Sequence, residues 1–84
     1  MAKHPLKTYD FTLVLANLAE LTDIQANALF RAGCDDATPV SRDSRVLLHF
    51  AREADSLEHA IRSAIADVAR SGLRAAHVEM ECPV

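Results

Sequence analysis

Cysteine and histidine have the widest chemical repertoire in this sequence, and their placement narrows it. Cys34 follows what reads as a helix C-terminus and precedes Asp35 and Asp36. The negative end of a helix dipole and two neighbouring carboxylates all disfavour a thiolate, so Cys34 is expected to be a small apolar structural residue. Cys82 stands beside Glu79 and Glu81, and the same objection applies to it. Cys34 and Cys82 lie far apart and fit neither a zinc spacing nor a dense disulfide framework, so both are expected as free thiols.

His49, His77 and Glu79 form the one constellation with metal-ligand character. A His-x-Glu pair on a strand puts two potential ligands on one face, and His49 falls on the same face of a neighbouring segment. With one strand running between them, however, His49 and His77 stand about 9–10 Å apart. Zinc needs its ligand atoms about 2 Å away on every side, so surface histidines are expected and no bound metal. Asp35 and Asp36 are adjacent on an extended segment and face opposite ways, which spoils them as an acid–base pair and leaves them turn and edge roles. Glu58 and Arg62, at i and i+4, read as a solvated helix face. No Gly-rich phosphate loop, nucleophile elbow or Cys-x-x-Cys motif occurs. The expectation is a protein that is not an enzyme and takes no cofactor.

The elements that must carry these residues follow from periodicity. Tyr9 to Ala16 is rich in aromatic and β-branched types, with Phe11, Leu13 and Leu15 on one face and Thr12 and Val14 on the other. Phe11, Leu15, Leu18 and Leu21 also keep near-helical spacing, but the helix-start signal that follows favours a strand. Thr22 and Gln25 make a capping box behind Leu21, predicting a helix from near Asp23 with an apolar stripe of Ile24, Ala28, Leu29 and Ala32 that stops at Gly33. Phe30 falls outside that stripe and is a candidate partner contact. Pro39 cannot donate a ladder hydrogen bond, which confines any strand between Cys34 and Ser41 to a sheet edge. After a turn at Arg42, Asp43 and Ser44, the residues Val46, Leu48 and Phe50 alternate with Leu47, His49 and Ala51 as a second strong strand. Asp55 or Ser56 caps a second helix, in which Leu57, Ala60, Ile61, Ala64, Ile65 and Val68 recur at helical spacing up to Gly72 and Leu73. A last strand is expected to turn Ala76, Val78 and Met80 inward and His77, Glu79 and Glu81 outward.

The order β-α-β-β-α-β predicts an α+β, ferredoxin-like domain with two helices on one face of a four-stranded antiparallel sheet. Residues 1–8 are expected as a tail and 9–84 as a single domain. A chain of 84 residues supports one core and buries only about 60–65% of its unfolded surface, which makes self-association a reasonable source of extra stability. A net charge of −3 gives no positive field for nucleic acid, so no direct nucleic-acid binding is expected of this segment. The longest apolar run, Leu13 to Ala16, is far short of a membrane span, and the N-terminus lacks the apolar core of a secretory signal. The expected location is cytoplasmic, away from the membrane.

The run Ala28-Leu29-Phe30-Arg31-Ala32-Gly33-Cys34-Asp35-Asp36-Ala37-Thr38-Pro39, together with Phe50 to Ala54 and Ala60 to Val68, resembles the N-terminal part of a family of small bacterial proteins, many of them uncharacterised. Members of that family carry a C-terminal helix-turn-helix segment, and the resemblance implies an association with DNA-binding regulators. It covers most of residues 9–81 and assigns no catalytic or ligand-binding residue. After its last strand this chain has no helix-turn-helix sequence, so the DNA-binding part is not expected here whether or not the natural protein continues past Val84.

With no catalytic signature, the expected function is a regulatory or oligomerisation domain that forms a homodimer. The uncovered sheet face or an exposed edge strand supplies the expected interface, with Thr12, Val14, Leu47, His49 and His77 facing water and Phe30 as a further contact. The competing expectation is a small-ligand or metal sensor using His49, His77 and Glu79 on that face.

Overall fold

The computed structural model describes residues 6–80. In it the chain runs β1 (Lys7–Leu15), α1 (Asp23–Ala32), β2 (Ala37–Arg42), β3 (Arg45–Ala54), α2 (Leu57–Arg70) and β4 (Ala75–Glu79). The four strands form one sheet in the order β2-β3-β1-β4 with every neighbouring pair antiparallel. This is the ferredoxin-like α+β arrangement. β1 begins at Lys7, so Lys7 and Thr8 pair with Ala54 and Glu53 instead of belonging to a tail. Residues 1–5 of the expected tail lie outside the described residues.

Alternation along the two central strands builds the core. Phe11, Leu13 and Leu15 from β1 and Val46, Leu48, Phe50 and Ala54 from β3 are all buried on the helix-covered face. Phe11 and Phe50 are register partners and their rings stack, with centroids 5.3 Å apart. Helix α2 packs on β3, β1 and β4 through Ala60, Ala64 and Val68. The alanines bring the helix close to the sheet, and each fully buried Val, Leu or Phe side chain contributes roughly 1.5–3 kcal/mol.

The ends of the elements follow local chemistry. Thr22 and Gln25 form the reciprocal capping box at α1, and Ser56 accepts from the His59 amide at the start of α2. Both helices end in Schellman-type turns. Cys34 N–H donates to Leu29 O behind Gly33, and Leu73 N–H donates to Val68 O behind Gly72. The two-residue turn between β2 and β3 has positive φ at Asp43 (52°) and Ser44 (61°), the hairpin geometry that matches the natural twist of the strands.

Two details depart from the periodicity. Ile24 is 82% exposed and is not part of the α1 core stripe. It precedes Leu29 by five residues, which places it about 140° around the helix from the one fully buried α1 side chain. Leu21, just ahead of the helix, packs against the core instead. In β4, the register shifts at Val14/Leu15, so that Val14 pairs with His77 and Leu15 with Ala75. Ala76 is the extra residue and is exposed, while Val78 keeps its inward place. The strand ends at Glu79, and Met80 is exposed, not inward. Glu81 lies outside the described residues.

The two helix-terminal glycines differ in a way that mutation can read. Gly33 has φ 116° and a Cβ there would stand 2.8 Å from Asp67 Oδ2, whereas Gly72 has φ 93° and open space around the same position. Gly72→Ala is expected to cost about 1–2 kcal/mol from the left-handed backbone alone. Gly33→Ala should cost distinctly more, because Asp67 must also move. Equal losses in chemical denaturation would contradict this difference.

Candidate functional site

The open sheet face is organised in cross-strand rows. His49, Thr12 and Glu79 form one row across β3, β1 and β4, and Leu47, Val14 and His77 form the next. His49 and His77 are therefore in different rows as well as on non-adjacent strands. Thr12 Oγ1 and His49 Nδ1 share a 2.8 Å hydrogen bond, and His77 Nε2 lies 3.2 Å from Glu79 Oε2. Among the described residues, no group of three or more His, Cys, Asp or Glu side chains is placed to hold a metal ion.

Exposure on this face differs from expectation. His49 and His77 are exposed, but Thr12, Val14 and Leu47 are buried, at 8%, 2% and 6%. Their neighbours explain this. Leu47 borders a hollow of about 340 Å³ lined also by Thr12, Arg42, His49, Glu79 and Met80. Val14 borders a second one with Arg45 and His77 on its rim. Long polar side chains can spread their stems over apolar neighbours while their charged ends reach water. The apolar centre of the face is thus already buried within one chain.

Phe30 is 65% exposed, as its place off the α1 stripe implies. It stands at a largely apolar groove of about 280 Å³ between α1 and the sheet, lined by Ala26, Leu29, Cys34, Ala37, Pro39 and Leu48, with Asn27 and Asp35 as its polar members. Pro39 lies on the edge strand β2, where its missing N–H costs no ladder bond.

The most concentrated polar chemistry in the chain lies in the interior. Arg52 continues the inward alternation of β3 past Phe50 and is buried. Its Nε–H donates to Asp36 Oδ2 at 2.8 Å and one Nη2–H to Asp36 Oδ1 at 2.9 Å, a two-pronged carboxylate pair. The other Nη2–H donates to Gly33 O at 2.8 Å. Nη1 donates to Asp67 Oδ2 at 3.0 Å and to Ser63 Oγ at 3.1 Å. The guanidinium also sits over the Phe50 ring, 5.1 Å from its centroid. All five N–H donors are used. The Asp36 hydrogen bonds hold the guanidinium charged against the desolvation of its site. Asp67 receives a further bond from Arg70 at the helix surface.

With no donor left over, the Arg52 cluster is a clasp and cannot take an anionic ligand without losing a partner. Asp36 does sit in the turn after α1, yet its carboxylate points inward, which corrects its assignment to an edge role. Continuing the β3 alternation by one step would have flagged Arg52 as an inward charge needing acids.

Cys34 is a free thiol, buried below Gly33. Burial pushes its pKa up from 9.0 to about 11, and Asp67, Asp36 and Asp35 add to the shift while Arg52 opposes it. Cys82 lies outside the described residues. Because the folded-state value is above the unfolded one, the stability gained by keeping the thiol neutral is complete below pH 9 and is lost as pH rises towards about 11. Peptide-resolved alkylation at pH 7 should therefore modify Cys34 more slowly than a free model thiol, at a rate set by transient opening. Modification at the speed of an activated cysteine would contradict this environment.

Compared with protein-family models, with curated proteins and with solved structures, the chain matches none of them.

Proposed function

We propose that the chain is a non-catalytic regulatory or oligomerisation domain that acts as a symmetric dimer in the cytoplasm. The observation that carries this is Phe30, a largely exposed aromatic side chain beside an apolar groove on the α1 and β2 flank. Ile24 adds a second exposed apolar side chain on the same helix. Exposed aromatic anchors next to apolar depressions are what interface centres are built from. In a two-fold pair, Phe30 of each copy faces the groove of the other, and the contact closes on itself. Burying one such side chain gains roughly 1.5–3 kcal/mol before association costs, a useful increment for a domain of this size.

The open sheet face offers less for such a contact, since Val14 and Leu47 are already screened within one chain. The charged groups of the interior support a non-catalytic role, because they are spent on one another. No helix among the described residues is long and apolar enough to cross a membrane. A regulator is the setting proposed for it, with this domain bringing two protomers together.

Sedimentation at high micromolar concentration should show a dimer. Phe30→Glu should return it to a monomer that stays folded, since the side chain is outside the core of the single chain, with a thermal midpoint that no longer rises with protein concentration. A monomer for the unmodified protein at that concentration would overturn the proposal.

A further inference from the structure

The hollow on the open sheet face combines features that its neighbours on the molecule lack. Its walls come from all four strands, with Arg42 from β2, Leu47 and His49 from β3, Thr12 from β1, and Glu79 with Met80 from the end of β4. Its volume of about 340 Å³ falls within the range of small-ligand sites. β2 and β4 are the two sheet edges, so the guanidinium and the carboxylate approach the hollow from opposite sides. Met80, about half exposed, and the small uncovered part of Leu47 add apolar surface to the hollow, and Thr12 adds a hydroxyl.

The polar groups here are not consumed by the fold. Among the described residues Arg42 makes no ion pair and no side-chain hydrogen bond, in contrast to Arg52, Arg62 and Arg70. Among the described residues Glu79 uses only Oε2, towards His77, and Oε1 has no partner there. His49 is held by Thr12 through Nδ1, and among the described residues Nε2 has no partner. A cation and a carboxylate, each with donor or acceptor capacity to spare, stand across a partly apolar gap.

We propose that this hollow binds a small zwitterion whose acid and amine stand at opposite ends of a short aliphatic chain. The ligand carboxylate pairs with Arg42 and takes a further hydrogen bond from His49. Its ammonium pairs with Glu79, and its methylenes lie on Leu47 and Met80. Neither charge alone explains the arrangement, because an anion would leave Glu79 as a repulsive wall and an amine would do the same with Arg42. The site lies on the face away from the helices and is independent of the dimer proposed above.

The test uses the full chain and 5-aminopentanoate, with pentanoate and pentylamine as single-charge controls. Methyl chemical shifts of Leu47 and Met80 report binding. The expected result is saturable binding of 5-aminopentanoate, with both controls weaker by about tenfold or more, the scale of one charge-assisted hydrogen bond. Glu79→Gln should abolish the advantage over pentanoate, and Arg42→Gln the advantage over pentylamine. Both side chains are exposed, so thermal midpoints should stay unchanged. No saturation below about 10 mM, a Kd too weak to mark a dedicated site, would overturn the proposal, as would equal binding of a single-charge control or indifference to either substitution.

Discussion

A guanidinium buried on the helix-covered face of a sheet has to find acceptors for five N–H donors, and meeting that demand fixes the position of three separate chain segments. Arg52 draws its acceptors from the end of α1 at Gly33, from the following turn at Asp36, and from α2 at Ser63 and Asp67. Removing a charge from water costs several kcal/mol, which only complete pairing offsets. Helix α1 buries just Leu29 fully, so its apolar contacts alone anchor it weakly. The clasp supplies the missing definition. Gly33 belongs to the same unit, since its carbonyl accepts from Arg52 and its lack of a side chain leaves room for Asp67.

The clasp also sorts the remaining groups by availability. Asp36 and Asp67 are committed to Arg52, and Cys34 is kept neutral beneath them. Chemistry with an outside molecule is left to the surfaces that the clasp does not reach. On the helix side this is the Phe30 flank, which is largely apolar with Asn27 and Asp35 beside it and is suited to another protein surface. On the sheet side it is the hollow between Arg42 and Glu79, which is mixed in polarity and small. The surfaces proposed for assembly and for ligand binding therefore lie on different faces of the domain.

Element order and most element ends were legible in the sequence, because they rest on local chemistry. The Thr22–Gln25 box, the stops at Gly33 and Gly72, and the alternation of β1 and β3 needed only neighbours within a few residues. Ile24 is misplaced locally, since it keeps stripe spacing to Ala28 while its angle to Leu29 puts it outside. The other misplacements arise where distant residues decide. The extra residue at Ala76 depends on pairing with β1, which no property of the β4 sequence announces. Val14 and Leu47 read as exposed because the face has no helix over it, yet both are buried once the four strands assemble. The Arg52 partners Asp36 and Asp67 lie 16 and 15 residues away in the chain, so an inward arginine was visible in the pattern but its acceptors were not.

The most direct test of the clasp is a double-mutant cycle between Arg52 and Asp36, using Arg52→Met, Asp36→Asn and the pair, with stability read from chemical denaturation. If the two side chains hold the helix-side segments together as described, each single change is strongly destabilising and the coupling energy is about 2 kcal/mol or more. A coupling within about 0.5 kcal/mol of zero, with the single effects simply adding, would show that the buried ion pair is not what positions α1 and its turn.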